Sequence, residues 1–391
     1  LSLKKNSVID DIPFVFGRLA AQTRRGVPPS TFELDDPLAM AAVKRGTRGA
    51  HRLLRLVLGV TLLSLLSLSR SVPAQTAPAQ SQKLKPEVRR FIGHMVRAYG
   101  FDAHTLRDLL ASARTNQEVV RAVSAPATSR PWYQFKPLCV DETQIAEGVR
   151  FWNENAEVLE RARRDFGVPE SIIVAVIGIE SRYGRYAGGF RVIDALYTLS
   201  FELPKRAEYF RGELEQFLVL SREQGWDPAL VEGSFAGALG WPQFMPSSYR
   251  RFAVDYSGDG KIDLWTDTAD IVASVANYLR EFGWKEGQPV AAPARVDAAD
   301  PKPLLDLGLK PQVSIAQWQE RGVQSPPGII ESLPASLFTL DLAEGPEYWF
   351  GFDNFYALLR YNYSRNYAMA VYQLGEEIRQ AREQFAVVGS D

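Results

Sequence analysis

Residues 168–184 read VPESIIVAVIGIESRYG. Val168-Pro169-Glu170-Ser171 carries the marks of a helix start, because proline at an early position needs no amide donor. The run that follows is almost wholly apolar. Counting back from Glu180 by three, four and seven residues gives Ile177, Val176 and Ile173, so the carboxylate falls on the face that must be buried. A buried carboxylate is either paired or keeps its proton at neutral pH. A protonated carboxylic acid in an apolar pocket is what glycoside cleavage requires of its general acid. Taken alone, a glutamate in a helical pattern is more often a solvated surface residue, so the remaining sequence has to supply the context.

The rest of the composition narrows the classes. With 45 Lys and Arg against 46 Asp and Glu the formal net charge is -1, so no global basic field draws the chain to nucleic acid. Cys139 is the only cysteine, which excludes an intramolecular disulfide. His51, His94 and His104 are scattered through the N-terminal third, which argues against a zinc or iron site. The 8 Trp, 15 Tyr and 21 Phe suit a core, and equally a groove that stacks on sugar rings.

Residues 53–69, LLRLVLGVTLLSLLSLS, follow a basic segment and precede the small-residue site Val72-Pro73-Ala74. That order predicts a secretory signal peptide, with an N-terminal anchor as the alternative. The expected layout is an over-extended N-terminus at 1–45, the signal or anchor at 46–74 and a Gln/Ala/Pro linker at 75–85. A helical domain at 86–166, a catalytic core at 167–287, a small β-containing domain at 288–351 and a helical segment at 352–391 complete it. Helical spacing runs from Pro86 to about Arg121, over 141–166, from Phe201 to about Gln224 and over 271–282; residues 228–253 read as a helix, a Gly-rich turn and a short helix. Pro289–Ala292, Leu337–Leu342 and Tyr348–Phe350 read as strands. The fold class is therefore mainly α with a small β part.

Three further segments carry chemistry. Gly233–Tyr249 holds Gly233, Gly237 and Gly240, which let backbone approach a ligand or a neighbouring helix closely. Ser234, Gln243 and Ser248 add hydrogen-bonding groups, and Trp241 and Phe244 add stacking faces; a close helix contact and an ordinary turn is the plainer alternative. Asp255-Tyr256-Ser257-Gly258-Asp259-Gly260-Lys261 matches the first half of an EF-hand loop, with oxygens at alternate positions and glycine at the sixth. Its twelfth position is Thr266 rather than Glu, so Asp263, Asp267 or Asp270 would have to close the shell; a solvated acidic turn is the alternative. Arg360–Met369 is dense in phenols and amides suited to orienting an N-acetyl group or sugar hydroxyl, and helix capping explains Asn362 or Asn366 equally well.

Together GIESRYG, GALGWPQFMPSSY, DYSGDGKIDLW and RYNYSRNYAMAV, in this order, resemble the lytic murein transglycosylase B family (glycoside hydrolase family 103) over roughly residues 86–384. The resemblance implies a lysozyme-like helical core with an EF-hand-like loop. It implies cleavage of the MurNAc-β-1,4-GlcNAc bond of peptidoglycan with formation of 1,6-anhydro-MurNAc ends. Glu180 matches the family's acid/base, acting as acid and then as base with no second catalytic carboxylate, although Asp194, Asp227 and Glu232 lie nearby in sequence. Ser234, Gln243, Tyr361, Asn362 and Tyr367 fall where the family places cleft residues. Lys205, Arg206 and Tyr209 match its glycan and stem-peptide subsites. Asp255, Ser257, Asp259, the Lys261 carbonyl and Asp270 match its structural calcium ligands; no organic cofactor is implied. Phe135 departs from the family, standing where a tyrosine can occur, and no lipid-anchor cysteine follows the apolar run. The partner expected is the glycan strand, with peripheral or N-terminal membrane association and action in the periplasm. A hydrolytic muramidase, a non-catalytic wall-binding protein and a calcium sensor are the competing readings.

Overall fold

The helix at Glu170–Ser181 is hydrophobic on every side, and each residue from Ser171 to Ser181 is buried. A helix without a polar face is stable only when surrounded. The computed structural model describes residues 84–124 and 127–388, the side chains of Lys205 and of residues 385–388 excepted. The expected N-terminal extension at 1–45, the signal or anchor at 46–74 and the linker up to residue 83 lie outside the described residues.

The chain up to the central helix forms α1 (Pro86–Tyr99), α2 (Ala103–Ser112), α3 (Gln117–Ser124), α4 (Trp132–Cys139), α5 (Glu142–Glu154) and α6 (Ala156–Phe166). The central helix is α7 (Glu170–Ser181). Then come α8 (Val192–Phe201), α9 (Ala207–Gln224), α10 (Pro246–Phe252) and α11 (Thr268–Glu281). After the β region the chain returns to α14 (Asp353–Tyr361) and α15 (Arg365–Val388), with two short helices, α12 (Lys302–Leu305) and α13 (Ile315–Glu320), inside that region. Helices α5, α6, α11 and α15 enclose α7. Six buried Ile and Val side chains on α7, each worth about 1.5–3 kcal/mol when fully buried, make its interior position the stable one.

The strands are short. β1 (Phe190–Arg191) pairs antiparallel with β2 (Glu232–Gly233). The larger sheet has the order β3-β8-β7-β5, built from β3 (Ala291–Pro293), β5 (Val313–Ser314), β7 (Pro334–Leu342) and β8 (Gly345–Gly351). A separate pair joins β4 (Arg295–Val296) to β6 (Val323–Gln324). β7 is buried almost throughout rather than at alternate residues. The reason is that Phe338 and Leu340 face the main core while Ala335 and Leu337 face a second, small core around Trp318 and Phe350. The period of two in a strand thus lets one segment close two cores.

Several expected boundaries move. The 86–121 pattern is three helices, separated at Gly100, whose φ is +67°, and at Ala113. The 141–166 pattern breaks at Asn155 into α5 and α6. The helix expected from Phe201 begins only at Ala207, after a single 3-10 turn at Pro204–Arg206, since Phe201 closes α8. No helix precedes the Gly-rich turn at 228–245; its glycines and Pro242 hold turns and the short strand β2 instead. Trp132–Cys139 is helical, with Trp132, Phe135 and Cys139 buried.

Candidate active site

Glu180 is the penultimate residue of α7 and is 8% exposed. Its Oε1 accepts a hydrogen bond of 2.6 Å from the Tyr367 hydroxyl at the start of α15. Burial pushes its carboxyl up to about 8, and the Tyr367 hydrogen bond only partly opposes this. Burial, rather than a neighbouring charge, therefore keeps the acid protonated. The same burial, reinforced by the Glu180 carboxylate once it ionises, raises Tyr361 and Tyr367 well above the phenol range, so both stay neutral donors.

The aromatic floor is fixed by its hydroxyls. Tyr361 stacks on Tyr367 with ring centroids 6.3 Å apart and 17° between planes, and donates to the Pro242 carbonyl at 2.7 Å. Tyr278 of α11 lies 4.6 Å from the Tyr361 ring and donates to the Arg360 carbonyl. Three elements distant in sequence (α11, α14 and the Gly-rich turn) are thereby locked around the acid.

The backbone after Glu180 is held just as tightly. Arg182 and Tyr183 adopt positive φ of 49° and 56°, a conformation unfavourable for side chains with a Cβ. Arg182 pairs with Asp141, whose other oxygen caps α5. The Tyr183 ring lies against Gly178 and Gly148 and stacks on Phe151, and its hydroxyl donates to the Gln144 carbonyl at 3.1 Å. Those contacts keep the turn that directs Glu180 into the cleft.

The cleft is a cavity of about 180 Å³. Glu180, Tyr209, Gln243 and Tyr361 line it together with Phe244 and Ser248 of the Gly-rich turn, so these expected residues converge there. Gln243 has φ +54°, and its amide donates to the carbonyls of Ala187 and Gly240, tying the Gly-rich turn to the loop after Glu180. Ser234 is buried and its Oγ accepts from the amides of Ala236 and Ala238, so it shapes that turn. Asn362 is buried beside Tyr361. Arg206 lies 5.7 Å from each of the Tyr209 and Phe210 rings; the Lys205 side chain is outside the described residues.

One acidic residue of the cleft escaped the sequence reading. Glu213 on α9 lines the same cavity and accepts from the Ser247 amide at 2.9 Å and its hydroxyl at 2.6 Å. Burial raises its pKa, opposed by those bonds and by the Tyr209 phenol. The signal was present: Phe210, Leu214, Phe217 and Leu218 place Glu213 on the apolar stripe of α9, as Ile177 and Val176 place Glu180. Of the acids flagged by proximity in sequence, Asp194 pairs with Arg191, Asp227 accepts from the Ala229 amide and Glu232 is exposed on β2.

The acidic loop at 255–270 has the bend expected, with φ +85° at Gly260. Asp255 accepts from the amides of Gly258, Asp259 and Gly260; Asp270 accepts from those of Tyr256, Ser257 and Asp263. The donor set is all oxygen and fits a hard cation in kind. Among the described residues no three acidic, His or Cys side chains gather at metal-holding distance.

A family model described as the transglycosylase SLT domain matches residues 83–376. The chain belongs to this transglycosylase family. It is 44% identical over 309 residues to the membrane-bound lytic murein transglycosylase B of Escherichia coli, covering 76% of this chain and 84% of that protein. A lytic transglycosylase of Escherichia coli solved in complex with calcium matches with TM-score 0.68 and 43% identity, over 76% of this chain and 94% of that one. SltB3 of Pseudomonas aeruginosa, solved in complex with NAG-NAM-pentapeptide, matches with TM-score 0.66 and 32% identity, over 75% and 79% of the two chains. The enzyme is thus a lytic murein transglycosylase with a mainly helical, lysozyme-like fold. Among the described residues no helix is long and apolar enough to cross a membrane.

Proposed function

We propose that this enzyme cleaves the MurNAc-β-1,4-GlcNAc bond of peptidoglycan with Glu180 acting as acid and then as base. The observation that carries the reading is the buried Glu180 carboxyl, anchored by Tyr367 on one oxygen and pushed up to about 8 by that burial. The bond to Oε1 leaves Oε2 to deliver the proton to the glycosidic oxygen as the C1–O bond breaks. The carboxylate so formed takes the proton of the muramyl C6 hydroxyl while O6 bonds to C1, closing the 1,6-anhydro ring and restoring the acid. Proton count balances within one residue, and no water is consumed. Burial makes the intermediate carboxylate a stronger base than it would be in water, which suits the second step.

Product mass decides between this reaction and hydrolysis. Digestion of purified sacculi is expected to release muropeptides one water lighter than those of a muramidase, read by mass spectrometry. Reducing-end products of the heavier mass would replace the reading with the hydrolytic one, in which Glu213 becomes the first residue to ask about.

We further infer that the 255–270 loop binds one calcium ion through Asp255, Ser257, Asp259, the Lys261 carbonyl and Asp270. The bend at Gly260 and the oxygen donor set support this, as does the calcium complex of the Escherichia coli neighbour. A bound ion would brace the segment between α10 and α11, and α11 carries Tyr278 to the cleft. Calcium at a hundred times its dissociation constant is expected to add about 2.7 kcal/mol and raise Tm by roughly 5 °C over a chelated sample. Asp255→Ala should erase that difference; an equal calcium shift in the variant would dismiss the site. Because murein is the substrate, the periplasmic side of the membrane is the proposed place of action.

A further inference from the structure

Beyond Glu180 and its phenols, the cleft wall carries two guanidinium groups that have no counter-ion among the described residues. Arg251 at the end of α10 and Arg360 at the end of α14 both line the cavity. The Arg251 guanidinium lies 5.0 Å from the Phe252 ring centroid, and that of Arg360 lies 5.2 Å from the Phe282 ring. Those two rings meet at 5.1 Å, so both cations rest on one aromatic pair. Stacking on a ring steadies a guanidinium while leaving its in-plane N–H donors for a ligand. Among the described residues neither guanidinium has an ion pair or a hydrogen bond. Arg250, next in the chain, makes the contrast: its guanidinium forms a two-pronged contact with Glu223 at 2.8 and 2.7 Å.

The acids of the cleft do not neutralise the pair. Glu180 is held by Tyr367, and Glu213 is held by Ser247. The sugar backbone of the proposed substrate is itself uncharged. Its anionic groups are carboxylates carried on the muramyl residue, either in the peptide stem or on a lactyl group that has lost its peptide. A planar fork of N–H donors matches a carboxylate in geometry as well as charge. We propose that Arg251 and Arg360 form a carboxylate subsite that holds an acidic group of the muramyl side chain while Glu180 acts on the glycosidic bond. This rests on the substrate given under the proposed function.

The test uses the full-length enzyme and three glycan strands: peptide-bearing, peptide-bearing with carboxyls amidated, and peptide-free with lactyl carboxylates exposed. Arg251→Gln combined with Arg360→Gln should raise KM on an acid-bearing strand about tenfold, with kcat within about twofold, as the loss of two ion pairs predicts. Amidation should bring the wild type to the variant's KM and leave the variant unchanged. Added salt should raise KM of the wild type and not of the variant. An effect confined to the peptide-bearing strand places the subsite on the stem; one that persists on the peptide-free strand places it on the lactyl group. Arg251 is exposed, so Arg251→Gln alone, which costs little packing, serves if the double variant folds poorly. Arg107→Gln, on the exposed face of α2, is the unchanged control. An unaltered KM, or the same fold-loss on the amidated strand, overturns the subsite. The wild-type product mass is read in the same assay: hydrolysed ends together with a persistent arginine effect would reject the anhydro reaction and keep the subsite.

Discussion

Glu180→Gln is expected to remove strand cleavage by a factor on the order of 10⁴ or more, while the folded enzyme becomes more stable at alkaline pH. The first effect follows from using one group twice. Positioned acid or base assistance contributes about 10²–10⁴ in rate, and Gln can supply neither the proton to the leaving oxygen nor the base for O6. The second effect follows from linkage. The folded-state pKa is raised to about 8 from the ordinary carboxyl value of 4.5, with burial as the main cause. Below the unfolded value both states hold the proton, and this part of the stability is fully present. Between the two values the folded state keeps a proton that the unfolded state releases, so stability falls as pH rises, and the loss is complete above the folded pKa. Gln has no proton to lose and can still accept from Tyr367. At about 1.4 kcal/mol for each unit of pKa, the variant should gain a few kcal/mol over wild type at pH 9 and almost nothing at pH 4. Release of anhydromuropeptides and Tm measured across that range report the two effects separately. A variant that retains a tenth of the activity, or a Tm difference that does not vary with pH, would mean that Glu180 is not the buried acid described. The same titration predicts that kcat/KM of the wild type falls as pH rises through about 8.

How far the sequence carried the reading depends on the kind of interaction. Glu180 was legible because burial of α7 is written in an unbroken apolar run, and a carboxylate within it needs only helical spacing to be placed inside. The strand at 337–342 was legible from Leu337, Phe338, Leu340 and Leu342 clustered between turn residues, though its extension toward Pro334 rests on pairing of Pro334 and Ala335 with β5, on the far side of α13. The helix breaks at Asn155 and Ala113 were missed because the apolar spacing continues across them; the chain changes direction while still facing one core. The helix expected ahead of Gly233 failed for the opposite reason, since the close approaches of that segment to other backbone are invisible until the fold brings them together. Tyr367 and Tyr361 came from the family resemblance, not from local pattern. Nothing within RYNYSRNYAM says that one phenol reaches a carboxylate 187 residues earlier and another a carbonyl 119 residues earlier. Glu213 and Tyr278 were the avoidable omissions, because both sit on apolar stripes that obey the rule already applied to Glu180.

The loop that follows Glu180 supplies the second large effect, at Gly188 beside Gly189. Gly188 has φ +112°, a region that L side chains rarely adopt. A Cβ there would stand 2.1 Å from the Gly233 carbonyl carbon and oxygen and 2.6 Å from the Ser234 nitrogen. These are backbone atoms, held in place by the pairing of β1 with β2 and by the Ser234–Ala238 hydrogen bond, so no side chain can swing aside to relieve the clash. Gly189 has neither constraint: nothing lies within 4 Å of its Cβ position and its φ is not positive. Two adjacent glycines therefore respond oppositely to the same substitution. Gly188→Ala combines backbone strain of about 1–3 kcal/mol with overpacking of about 1–3 kcal/mol. A loss on the order of 4 kcal/mol lowers Tm by about 8 °C in a domain of this size. Gly189→Ala should change stability by less than about 1 kcal/mol, with any shift in the stabilising direction, because it mainly restricts the unfolded chain. The damage from Gly188→Ala should extend to activity. Displacing this crossing pulls on Ala187, whose carbonyl receives the Gln243 amide, and so loosens the turn that lines the cleft opposite Glu180. Paired thermal melts and rates for the two variants decide the matter. Equal losses in both would show that flexibility of the loop, and not the backbone crossing at Gly233, is what those glycines provide.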